Sequence, residues 1–209
     1  VFIISGNHDS PERLALAGGA SSGASITPAS ATLDDRAITI ARINTAAKVN
    51  RGDRETRSRA SVHVTAAADT TETVTDGAVG GSGTAAITGV VTVYIGKKET
   101  IAEVLSADVF AEGEIEVSAL SASNVTITGA GGSAGGTAAL GATATVITFD
   151  DTVKAKASGT FESKGNINVL SNQDAKLDAI TISIEGAGEA AVGFAIAVAV
   201  FTGKNISEA

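Results

Sequence analysis

Two unrelated short patterns recur along this chain with one spacing, and no other feature restricts its fold so strongly. Ser61-Val62-His63-Val64, Glu114-Ile115-Glu116-Val117 and Asn166-Ile167-Asn168-Val169 share a polar-apolar-polar-apolar order, at offsets of 53 (61 to 114) and 52 (114 to 166). Gly83-Thr84-Ala85-Ala86 returns as Gly136-Thr137-Ala138-Ala139 and as Gly188-Glu189-Ala190-Ala191, again 53 (83 to 136) and 52 (136 to 188) apart. Self-similarity at a fixed period is the mark of a stacked array, whose units bury their apolar faces against neighbouring units. Such an array is a scaffold or a binding surface before it is anything else.

Within each unit the apolar period is 2. Thr152-Val153-Lys154-Ala155-Lys156-Ala157, Asn124-Val125-Thr126-Ile127-Thr128 and Lys176 to Ile184 alternate cleanly and are dense in β-branched residues, which is the signature of strands. Gly clusters at 80–83 and 129–132, the Asp150-Asp151 step and Gly96-Lys97-Lys98 read as turns between them. The sequence therefore predicts an all-β, β-helix-like solenoid of about 52-residue repeats, each unit suiting two coils of about half that length. A β-sandwich competes, since it also needs short strands at regular spacing, but it has no need to repeat its loops in register.

Residues 1–25 form a separate, non-repeat segment in this reading and 26–209 the repeat region. A partial unit comes first, since Ile38 to Ile43 lines up with Val91 to Gly96 at an offset of 53 (38 to 91); the units 61–113, 114–165 and 166–209 follow. The N-terminal appendage is expected to be a strand and a short helix over Pro11-Glu12-Arg13-Leu14-Ala15-Leu16-Ala17, with Ser10 as N-cap and Pro11 in the first turn. Val62, Val64, Ile115, Val117, Ile167 and Val169 are expected to point inward, and His63, Glu116 and Asn168 outward.

Composition narrows the function classes. Aromatic residues are only 3% of the chain, so the core must be thin and layered. Cysteine is absent, which excludes disulfides and thiolate metal sites. A net charge of −8 disfavours nucleic acid as a partner. The longest apolar run, Ala190 to Phe201, has about half the length of a membrane-spanning helix and reads as a buried strand. With Val1 in place of an initiator Met and no signal peptide, the chain is expected to be part of a longer reading frame.

The strand Glu114 to Ala119, the Gly-rich stretch Gly129 to Gly136 and the small-residue strand Thr137 to Phe149 resemble passenger regions of autotransporter-like and leukotoxin-like bacterial surface adhesins. That resemblance implies a secreted or surface-displayed scaffold with no catalytic residues and no cofactor. Its partners would be neighbouring repeats of the parent protein and a host surface receptor or polyanion. Arg51-Gly52-Asp53, the integrin-recognition tripeptide, is the candidate binding site; Lys48, Arg51, Arg54, Arg57 and Arg59 around it form a local basic cluster, equally readable as a solvated edge loop.

The first residues point elsewhere. Val1-Phe2-Ile3-Ile4-Ser5-Gly6-Asn7-His8-Asp9-Ser10-Pro11 resembles the Gly-Asn-His-Asp segment of calcineurin-like metallophosphoesterases, in particular SbcD-type exonuclease subunits. The resemblance implies Asn7 as a metal ligand and His8 as a catalytic residue beside a Mn²⁺ pair, in a cytoplasmic enzyme. Two-metal displacement needs several further His and Asp ligands, and the only other histidine is His63, inside the repeat. The alternative to the scaffold is thus a nuclease fragment with an incomplete site, joined to a repeat protein; convergence over 16 residues is the other origin of the match. The run on through Pro11-Glu12-Arg13-Leu14 favours the join.

Overall fold

The computed structural model describes residues 1–50 and 61–209. Arg51, Gly52 and Asp53, with Arg54, Arg57 and Arg59, lie outside the described residues. The chain is all-β, and among the described residues there is no helix. Ten strands follow one another among the described residues: β1 (Phe2–Asp9), β2 (Glu12–Ser21), β3 (Ala24–Ile43), β4 (Lys48–Val49), β5 (Val62–Ser82), β6 (Ala85–Ala111), β7 (Ile115–Gly135), β8 (Ala138–Ser163), β9 (Ile167–Ala187) and β10 (Ala190–Glu208).

They form two parallel sheets. One has the order β1-β5-β7-β9, with β2 following β1 along the edge of β5; the other has the order β10-β8-β6-β3, with β4 following β3 along β6. The chain runs along one sheet, turns at Gly83-Thr84, returns along the other, and steps up to the next layer near Gly113. Residues 115–119 lie on 62–66 and under 167–171, so the strands marked by the repeat occupy neighbouring layers. The architecture is compatible with a β-helix or solenoid.

One repeat is one layer, not two coils of half its length. The punctuation read as turns is the reason for the error. Gly96-Lys97-Lys98 lies inside the 27-residue β6 and Asp150-Asp151 inside the 26-residue β8. In each stretch one charged residue faces in and its neighbour out, so alternation is never broken. The real turns are marked by the second repeat pattern. A Cβ on Gly83 would overlap the Ser22 carbonyl oxygen, one on Gly136 the Gly83 carbonyl oxygen, and one on Gly188 would come within 2.5 Å of the Gly136 carbonyl oxygen. Each corner sits so closely on the one beneath that only glycine fits.

The expected helix at 11–17 is absent; Glu12 to Ser21 form β2, paired residue for residue with Thr73 to Ser82. A row of ten backbone partners on the edge of β5 outweighs a helix propensity of a few tenths of a kcal/mol per residue. Pro11, which lacks an N–H, falls between β1 and β2, and its carbonyl accepts the Thr73 N–H at 3.1 Å. The offset of 53 read for Ile38 to Ile43 is also corrected. Ile38 pairs with Glu99 and Ala24 with Ala85, an offset of 61 (38 to 99), the difference being taken up between β4 and β5.

The inward rows form two apolar cores. Val62, Val64, Ala102, Val104, Ile115, Val117 and Val153 belong to one, and Val74, Tyr94, Val125, Ile127, Ile147 and Phe149 to the other. The inward-pointing expectation holds for Val62, Val64, Ile115 and Val117, each at most 1% exposed. Ile167 shares their row but is exposed, and Val169 only half-buried, because no described strand covers the far side of β9 and β10. Gly96 makes room for the aromatic side chains: a Cβ there would meet Phe149 at 2.6 Å. Tyr94, Phe149 and Phe201 then stack through three layers at centroid distances of 6.3 and 5.4 Å.

Candidate functional site

Three places concentrate chemistry, and the most buried lies between the two cores. Lys98 and Glu72 are enclosed, with side chains 3% and 0% exposed, and Lys98 Nζ stands 2.8 Å from Glu72 Oε1. Lys98 also pairs with Asp35 in the layer below and shares its row with Asp151 in the layer above. Ser121 Oγ donates to Asp151 Oδ2 at 2.9 Å, and Gln173 Nε2 donates to the Asp151 carbonyl at 3.3 Å. One ammonium therefore ties two layers and both sheets.

Burial pushes the Glu72 carboxyl above its ordinary range, tempered by the hydroxyl of Tyr94. It also raises Asp151, against the donation from Ser121, and lowers Lys98. Tyr94 is raised by burial and then by the charge of Glu72. Farther along the same interior Asp76 is raised by burial, although Thr92 Oγ1 donates to it at 3.4 Å. Enclosed from solvent and internally paired, this cluster serves architecture: it presents no surface to a substrate.

The second place is the outer face of the β1–β5–β7–β9 sheet at the corner below β7. His63 Nε2 lies 3.6 Å from Glu114 Oε1, and its Nδ1 lies 3.5 Å from Glu116 Oε2. Phe2 stacks on the imidazole with centroids 5.0 Å apart and the rings 4° from parallel. His63 and Glu116 do lie on the outward row, as alternation requires, but they are half-buried and interact.

The third is a groove of about 570 Å³ on the same face, lined by Asn7, His8, Asp69, Leu120, Asn172 and Asp174 among others. Here the structure places the two residues singled out by the metallophosphoesterase resemblance. Asn7 pairs with Ala68, whose row continues to the inward Ser121, whereas His8 pairs with Asp69 on the outward row. His8 Nδ1 is 3.5 Å from Asp69 Oδ2, both side chains being well exposed. Adjacent strand residues point to opposite faces, yet Asn7 and His8 both border this groove.

Farther along this face, Ala78, Val79, Gly80, Gly131 and Ile184 line an apolar trough of about 390 Å³. Among the described residues, no helix is long and apolar enough to cross a membrane.

Neither the interior cluster nor the His63 corner was found from the sequence. The period-2 pattern carried a usable signal for the first: Glu72, Lys98 and Asp151 fall on apolar parity within alternating runs. The second depends on register between layers, because His63 and Glu116 are distant in the chain. A scan against family models, a search of curated proteins and a search of solved structures each return no match.

Proposed function

We propose that this chain is a structural and adhesive repeat segment of a bacterial secreted or surface-exposed protein, folded as a β-solenoid without catalysis. The observation that carries the reading is the residue-for-residue stacking of β5 on β7 on β9 and of β6 on β8 on β10, interrupted by a register shift between Val104 and Ala107 where β6 lies on β8. Layers of this kind join without a fixed end point and lay their outward rows side by side as a continuous surface. The Ala- and Gly-floored trough and the acidic groove are concave features such a surface would offer to a host receptor. Neighbouring repeats of the parent protein are the partners proposed for its ends.

Deletion of one whole layer, residues 114–165, tests the scaffold. A stacked array should close over the gap, retain a cooperative melt and shorten by about 4.8 Å along the stack, the distance between neighbouring strands, as read by small-angle scattering. Loss of folding on this deletion would count against the repeat reading. Phosphodiester hydrolysis with added Mn²⁺ tests the alternative. Background rates are expected; turnover that vanishes in His8→Ala would favour the nuclease instead.

A further inference from the structure

We propose that His63, Glu114 and Glu116 form a binding site for one transition-metal dication, with Zn²⁺ as its probe, and that the ion staples neighbouring layers together. One ligand atom from each residue lies within 4.8 Å of the other two. Ligand bonds of about 2.0–2.2 Å to a common ion would bring tetrahedral donors to roughly 3.4 Å from one another. Rotation of the two carboxylates supplies that closure, since the Glu114 and Glu116 side chains are 44% and 29% exposed and have room to turn.

The imidazole is the better fixed partner. The Phe2 ring holds its plane, and the His63 side chain is only 20% exposed. The backbone around the ligands is pinned as well. The Glu114 N–H donates to Ser61 Oγ at 3.2 Å, and the Val62 and His63 N–H groups donate to the Glu114 and Val1 carbonyls, each at 2.9 Å.

One imidazole and two carboxylates make a mixed N/O donor set, which suits Zn²⁺ and its transition-metal neighbours better than Mg²⁺. Two carboxylate charges offset those of the ion, and solvent can complete the coordination at this open corner. His63 belongs to β5, whereas Glu114 and Glu116 belong to the next layer. The donor set therefore assembles only in the native register, and an ion bound there stabilises the folded array by linkage. This goes beyond the scaffold reading, and its test is independent of layer deletion. The other histidine, His8, has Asp69 as its only close carboxylate partner among the described residues.

The experiment is calorimetric titration of the whole chain with ZnCl₂ at neutral pH, in parallel with thermal melts. One Zn²⁺ per chain and a raised Tm are expected, with affinity at least tenfold weaker in both His63→Ala and Glu116→Gln and unchanged in His8→Ala. Co²⁺ should give visible absorption bands with the wild type that are lost in Glu116→Gln. That variant keeps size and shape and carries the test if His63→Ala fails to fold. Equal affinity for Mg²⁺ would reduce the site to a simple carboxylate cluster and overturn the proposal. So would wild-type Zn²⁺ affinity in Glu116→Gln, loss of binding in His8→Ala, or no binding up to millimolar Zn²⁺.

Discussion

Replacing Lys98 with Met keeps much of the side-chain volume and removes the ammonium that faces Glu72 and Asp35. Asp35 keeps some contact with water, its side chain being 14% exposed, but Glu72 is completely enclosed. With the ammonium gone, the Tyr94 hydroxyl is a neutral group left beside the Glu72 carboxyl. Taking away one partner of a buried pair costs about 3–5 kcal/mol, because the surviving charge has lost both water and its counter-ion. With a urea m-value of about 1–3 kcal/mol/M, the midpoint should fall by roughly 1–5 M.

The double variant Glu72→Leu/Lys98→Met should recover most of that loss. Glu72 stacks under Val125 and Leu177, so leucine there continues an aliphatic row, and apolar replacement of a buried ion pair is often neutral or better. The assay is equilibrium urea denaturation of the wild type, both single variants and the double. A Lys98→Met midpoint within error of wild type would refute the argument, as would a double variant that loses the sum of the two single effects. Acid should narrow the Lys98→Met deficit, because Glu72 can then fold in its neutral form.

The wild type should itself gain stability as the pH falls from 7 towards 5. Folded-state pKa values of Glu72, Asp76 and Asp151 are raised, so their contribution is complete below the unfolded carboxylate values of about 4 and is lost as pH rises through the folded ones. Lys98, which is lowered, has the opposite sign: its contribution is present above about pH 10.4 and lost as pH falls through its folded value. Urea midpoints across pH 5–7 check the carboxylate slope, and a fall towards pH 5 would contradict it. Val117→Asp, placing an unpaired charge at a site 1% exposed, should cost several kcal/mol, whereas Glu116→Lys on the outer row should cost under about 1 kcal/mol; thermal melts that rank them the other way would mean the register is wrong. Gly136→Ala should lose about 1–3 kcal/mol through overlap with the Gly83 carbonyl, and an unchanged melting temperature would argue against the close stacking of the corners.

Local chemistry alone determined that this chain is built of strands, which of their apolar residues face inward, and the period at which β5 to β10 stack. Alternation is set by the backbone of each strand and needs no partner to be read. Repetition of Gly83-Thr84-Ala85-Ala86 likewise reports a corner that every layer must turn in the same way. Tertiary structure decided what depends on contacts between residues distant in the chain. Leu14 to Ala17 could serve as helix or strand, and the edge of β5 chose strand. Lys98 and Asp151 resembled turn residues until a facing sheet and adjoining layers gave each a partner, at which point an inward charge became cheaper than a broken strand. His63 and Glu116 hold the same place in the repeat, but nothing in that pattern marks them, with Glu114, as a cluster. They meet because neighbouring layers pair at an offset of 53 (63 to 116), the spacing of the repeat; that their side chains close on one another there is decided by the packing of the layers.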